Sequence, residues 1–184
     1  MNIKLFINCK ITDKFGNIVS EKEQQANSLV KAFAAAIRSQ FSAVSQTLVT
    51  DTGGVARNLS ATSVVVCVAG ATVITDGIVI GTGTDAVTIS DYQLQTRIAH
   101  GTGAGQMQYG TQTFDSSTTV SGSNCYFQMA RVFTNNSGGT ITVKEVGIYS
   151  SISTYDFMLD RTLIDQAVTD GQTLTLQYKF QISV

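Results

Sequence analysis

The chain has no proline, no tryptophan and one histidine, His100. About 5% proline is ordinary. Its absence leaves every turn to the 16 glycines and to Asn and Asp, and removes a common guard of edge strands against strand addition. Without tryptophan, a lectin-like aromatic platform lacks its best residue. One histidine excludes an intramolecular His-based metal cluster, and any Ser-His-Asp or Cys-His arrangement would have to be built on His100 alone. No Gly-x-Ser-x-Gly elbow supports one. Beside the glycine tract at 101–105, His100 reads as a solvated loop residue, so no catalytic, cofactor-binding or metal-ligating residue is assigned.

Charge is scarce too. Asp, Glu, Lys and Arg make up 14% of the 184 residues, where about 25% is usual. The formal net charge is −1 and the basic residues are scattered, so there is no electrostatic footprint for nucleic acid or for an anionic membrane. The polar surface falls to Thr, Ser, Gln and Asn. Such a surface loses little when covered, and interface cores are depleted in charge; the composition points to a protein that works assembled. No apolar run approaches the ~18 residues of a membrane span. The first eight residues alternate like a strand instead of reading as a signal peptide, so a soluble, non-exported chain is expected. Cys9, Cys67 and Cys125 are odd in number and lack CxxC spacing, which makes them small buried hydrophobes of a reducing compartment. The glycosylation-type triplets at 58–60 and 135–137 read as accidents of an Asn- and Ser-rich chain.

What is present is alternation. From 173 to 184, Leu174, Leu176, Tyr178, Phe180, Ile182 and Val184 fall on one face and polar residues on the other, the pattern of a half-buried strand. Residues 2–23 read as a hairpin, with Ile3, Leu5, Ile7, Cys9 and Ile11 alternating and a turn at 13–17. Asn27 or Ser28 can then cap the one long helix, running to about 46. Its stripe of Leu29, Val30, Phe33, Ile37, Phe41, Val44 and Leu48 has helical spacing and is expected to face the core. Residues 50–63 look like a linker and 64–68 like a buried strand. Short strands at 78–80 and 87–89 flank Gly81-Thr82-Gly83. Ser90 begins a brief helical turn with Gln93 placed for a capping box and Leu94 and Ile98 as anchors. A flexible connector at 101–105 leads to strands at 107–114 and 124–134. The Asn/Gly tract at 135–139 signals a hairpin into 140–149, and a mobile loop at 150–156 leads to a strand at 157–164. The whole predicts a single mainly-β domain, 1–184. Within it, a hairpin-plus-helix unit (2–48) precedes an antiparallel β-sandwich or jelly-roll body (64–184).

Few residues suggest chemistry. Gly81-Thr82-Gly83 and the 101–105 tract lack the spacing of nucleotide-binding loops and read as turn glycines. Asp85 with Asp91, and Asp156 with Asp160 and Asp165, could be imagined as acid pairs or a calcium site, but match no calcium-loop spacing. Glu145, Arg131 and Arg161 interrupt apolar strands, and a buried or subunit-bridging ion pair among them is expected. The six tyrosines, at 92, 109, 126, 149, 155 and 178, are the only material for a sugar platform.

The run from Asn136 through Gly139-Thr140-Ile141-Thr142-Val143-Lys144-Glu145-Val146-Gly147-Ile148 to Tyr149 resembles virion proteins of tailed bacteriophages. Met158-Leu159-Asp160-Arg161-Thr162-Leu163, the strand from Gly171 to Tyr178, and the stretch from Gly81 to Leu94 are similar to the same group. The likeness covers roughly residues 78–184. It implies a non-enzymatic virion component, an oligomeric β-sandwich packing against other virion proteins as capsid decoration or cement, or as a neck or tail adapter. That component would be made in the host cytoplasm, with no cofactor, nucleic-acid or membrane partner. The competing readings are a receptor- or carbohydrate-binding module of a fibre or tail tip, and a glycan hydrolase with an unidentified carboxylate pair.

Overall fold

The alternating terminal segment becomes the spine of the larger of two main sheets. In the computed structural model, which describes residues 2–26, 29–62, 64–152 and 154–184, β1 (Asn2–Thr12) lies antiparallel to β12 (Thr173–Ser183) along its whole length. On the other side of β12 lies β9 (Asn124–Thr134). A hairpin turn joins β1 to β2 (Ile18–Ala26), which forms one edge. Asp13 makes that turn by accepting the Phe15 and Asn17 amides at 2.8 and 2.9 Å. The opposite edge is built of three short pieces on β9: β6 (Gln108–Tyr109), β7 (Thr113–Phe114) and β8 (Thr119–Ser121). The second sheet has the order β11-β10-β5, from β5 (Gly77–Gly81), β10 (Ile141–Ile152) and β11 (Tyr155–Val168). All pairings within the two sheets are antiparallel.

The facing sides of these sheets form the core, as the mainly-β sandwich reading requires. Leu5, Ile7, Cys9, Ile11, Leu174, Leu176 and Tyr178 come from one sheet, and Ile78, Ile80, Val143, Val146, Ile148 and Ile164 from the other; all are buried. Hydrogen bonds link the layers. Tyr178 donates its hydroxyl to Asp160 Oδ2 at 2.9 Å, and Tyr109 donates to the Ile98 carbonyl at 2.7 Å. Because β1 pairs with β12, the N-terminal hairpin is part of the sandwich body.

Several local expectations change. The positions proposed as helix caps, Asn27 and Ser28, lie outside the described residues. Helix α1 runs Lys31–Ser42 with Val30 before it and ends where Ala43 turns left-handed at φ 52°, short of residue 46. Residues 50–63 are no linker: β3 (Gln46–Thr50) and β4 (Ala56–Leu59) make a hairpin whose turn is held by Asp51. Residues 64–68 form no strand beyond one bridge from Val66 to Ser151, and Val64, Val66 and Val68 are exposed. The 87–89 strand and the helical turn at 90 are irregular loop, closed by a turn in which Asp91 accepts from the Thr88 amide and hydroxyl. Leu94 and Ile98 are nevertheless buried as anchors. The tract at 107–114 holds only the two short pieces β6 and β7.

The turn at 135–139 does not make a hairpin. It carries the chain from β9 in one sheet to β10 in the other. Buried Asn135 directs the crossing: its Nδ2 donates to the Gly139 and Val168 carbonyls at 2.8 and 2.7 Å. The expected loop is strand at 150–152 and 155–156, because β10 runs to Ile152 and β11 starts at Tyr155, with which Ile152 pairs.

Candidate functional site

The candidate chemical residues are tied into structure. Glu145 and Arg161 pair as expected, at 2.8 Å, both buried. Arg161 also reaches Asp91 Oδ2 at 2.9 Å. Glu145 further accepts backbone N–H groups from Gly83, Gln95 and Thr96 at 2.9 to 3.2 Å. The carboxylate therefore pins the 82–98 segment over the outer side of the smaller sheet. This explains the glycines of Gly81-Thr82-Gly83: a Cβ on Gly81 would lie 2.6 Å, and on Gly83 2.5 Å, from Glu145 Oε1. Burial pushes the Asp91 carboxyl up, but hydrogen bonds from Thr88 and Arg161 outweigh it and hold it below its ordinary 3.8.

Arg131 departs from the ion-pair expectation. Its guanidinium is buried, pairs with no carboxylate among the described residues, and donates to five backbone carbonyls, of Gly70, Val73, Asp76, Ile78 and Gly110, at 2.6 to 3.1 Å. It lies 5.0 Å from the centroid of the Tyr109 ring. Burial lowers its pKa.

The remaining candidates are dispersed. Asp165 pairs with Lys144 at the surface. Asp160 lies between the sheets, accepting from Tyr178 and Thr162, while its Oδ1 meets no hydrogen-bond partner among the described residues. Burial pushes its carboxyl up to about 7, against the pull of those hydroxyls. His100 is half-buried, not freely solvated: its Nδ1 accepts the Tyr109 amide at 3.0 Å. Burial pushes the Cys9 and Cys67 thiols up to about 11, which suits packing residues rather than nucleophiles. Tyr109, Tyr149 and Tyr178 are buried. Among the described residues, no three His, Cys, Asp or Glu side chains are grouped to hold a metal ion, and no helix is long and apolar enough to cross a membrane.

What the sequence missed is an apolar groove. The face of α1 that packs inward is Ala32, Ala36 and Ser39, against β11 and the β3–β4 hairpin. Small side chains let the helix backbone approach closely. The stripe expected in the core therefore points outward: Val30 is buried and Phe33 half-buried, but Ile37, Val44 and Leu48 are exposed and Phe41 is 87% exposed.

Beside this ridge, the inner face of the larger sheet runs past the smaller one. Ile3, Phe127, Ile182 and Val184 continue the alternation of their strands but are more than a third exposed, as are Phe114 and Val120 on the short edge pieces. Between helix and sheet opens a groove of about 550 Å3 that reaches Ile148 and Met129 in the core. Its lining, which includes Val65 and Cys67 from the segment crossing its floor, contains no charged residue. A second, shallower concavity of about 520 Å3 shares Phe33 and Ile37 and extends along the helix to Phe41. A site of this composition can bind by surface burial.

Comparison with known proteins gave no match: no family model, no curated protein and no solved structure is significantly similar to the chain.

Proposed function

We propose that this chain is a non-enzymatic structural component of a tailed-bacteriophage virion, an oligomeric β-sandwich module that packs against other virion proteins. The observation that carries the reading is the uncovered apolar end of the sandwich, where core-type residues of three long strands and a helix ridge meet water together. Contiguous exposed apolar surface of this extent marks an interaction site. The low charge of the chain and its phage-like segments at 81–94, 136–149, 158–163 and 171–178 supply the assembly it would belong to. Among the candidate carboxylates, Glu145, Asp91 and Asp160 are committed to Arg161, to backbone amides and to Tyr178. A receptor- or sugar-binding tip is less favoured, because three of the tyrosines it would need are buried. The test is quantitative mass spectrometry of purified particles with and without the gene. The expected result is a multi-copy particle protein whose loss impairs assembly, genome retention or infection. Particles that never contain it, or that are normal without it, refute the proposal.

A further inference from the structure

We propose that the apolar groove is occupied by a second copy of this chain, in a two-fold dimer that places the helix ridge of each copy in the groove of the other. The inference rests on the oligomeric part of the function proposed above and names its interface. Three features select a second copy. The first is shape. Ridge and groove lie side by side on one face and share Phe33 and Ile37. The outward Phe41 beside an apolar hollow on the same face gives each copy both a knob and a hole, the arrangement an isologous interface can use.

The second is area. Eight side chains around the groove are more than a third exposed, with Phe41 at 87%, Val184 at 86%, Val120 at 74% and Ile3 at 64%. Taking about 150–200 Å2 for a fully exposed large side chain, they present on the order of 800 Å2, the share of one partner in an interface of standard size. The third is charge. The groove lining is uncharged, and on the helix side the stripe Phe33-Ile37-Phe41 is flanked by one charge, the exposed Arg38, which can stay at the rim so that the apolar centre buries no unpaired ion.

The mass in solution at about 100 µM, above the weakest affinities expected of an interface this size, is the first measurement. It should be twice the 19.6 kDa of the chain. Phe41→Asp on the ridge and Ile3→Asp on the groove rim should each return the mass to one chain, with the far-UV circular dichroism spectrum unchanged because both positions are exposed. Val19→Asp, exposed on β2 away from the groove, should leave the dimer intact. The register is tested by Phe41→Cys, which on oxidation should give a covalent dimer through the native Cys125 that lines the groove. Cys125→Ser in the same background should abolish it.

A monomer at that concentration overturns the proposal, and so does a dimer that both Asp variants leave intact. A monomer whose groove takes up a hydrophobic dye or another virion protein would assign the site to that occupant instead. The two readings fail separately. A particle protein that is monomeric in solution defeats the dimer alone, whereas a groove-linked dimer that is never found in particles defeats the virion assignment alone.

Discussion

Replacing Arg131 by Met keeps an unbranched apolar stem and removes the guanidinium, with its charge and all of its donors. In the native fold five backbone carbonyls, from the 70–78 segment, β5 and Gly110, converge on this one guanidinium at 2.6 to 3.1 Å. Hydrogen bonds to a charged group contribute about 1.5–3 kcal/mol each, and a buried acceptor left unsatisfied costs about 1–3 kcal/mol. Carbonyls have a second lone pair and loops relax, so the full sum is not reached; a loss of about 5 kcal/mol is expected. That is large beside a total stability of roughly 5–15 kcal/mol, and for a chain of this size corresponds to a fall in Tm of about 10–20 °C. Arg131→Lys should rescue little, because an ammonium has three donors at one point and cannot span the fork of carbonyls. Equilibrium urea unfolding followed by far-UV circular dichroism is the assay, since the chain has no tryptophan to report. A Met variant within about 1 kcal/mol of the native chain would show that Arg131 is not the clasp of this end of the sandwich.

Other consequences can be measured in the same way. Glu145→Ala breaks a buried pair and frees the 82–98 amides; unfolding should show a loss of about 3–5 kcal/mol, with amide exchange accelerated first at Gly83, Gln95 and Thr96. The folded Asp160 carboxyl titrates near 7 against an ordinary 3.8, so the folded state binds the proton more tightly. Its contribution to stability is complete below about 3.8, declines as pH rises towards 7 and is flat above, and Asp160→Asn should remove that slope from a pH series of urea midpoints. On the helix, Ala36→Leu should cost about 1–3 kcal/mol by overpacking the buried face. Phe41→Ser should cost the isolated fold almost nothing; the reverse order of these two effects would mean that α1 is turned the other way.

The elements legible in the sequence are those whose burial is decided by the nearest strands. β1, β12 and β9 show their period of two because one face of each meets the core and the other faces out. Glu145 and Arg161 were visible as ionic interruptions of apolar strands, and the pairing follows because neither can be buried alone. Arg131 carried the same signal but a different outcome. Its partners are carbonyls 21 to 61 residues away in sequence, and a carbonyl leaves no trace in residue identity. The Asn/Gly tract at 135–139 marked a break between strands but not a hairpin, because turn chemistry does not say which sheet the chain enters next. The helix is the most instructive case. Periodicity locates its apolar stripe, but not what lies against it, and a face of Ala32, Ala36 and Ser39 packs more closely than a face of Phe and Ile.

The two regions of the sandwich interior that β9 borders are treated in opposite ways, within a few residues of one strand. At Arg131 the space between sheets is filled by a charged side chain and roofed by the 70–78 and 110 backbone. At Phe127 and Cys125, on the same face of the same strand, no comparable roof is present among the described residues, although the side chains there are of core type. Keeping on the order of 800 Å2 of apolar surface in water forgoes about 20 kcal/mol of transfer free energy at 25 cal/mol/Å2. A loop like that over Arg131 would recover part of it within one chain. Association recovers it between chains, after the loss of translational and rotational freedom, estimated at about 4–15 kcal/mol, is subtracted. On these figures association stays favourable after that loss, which is why the uncovered end of the sandwich supports the two-fold contact proposed above.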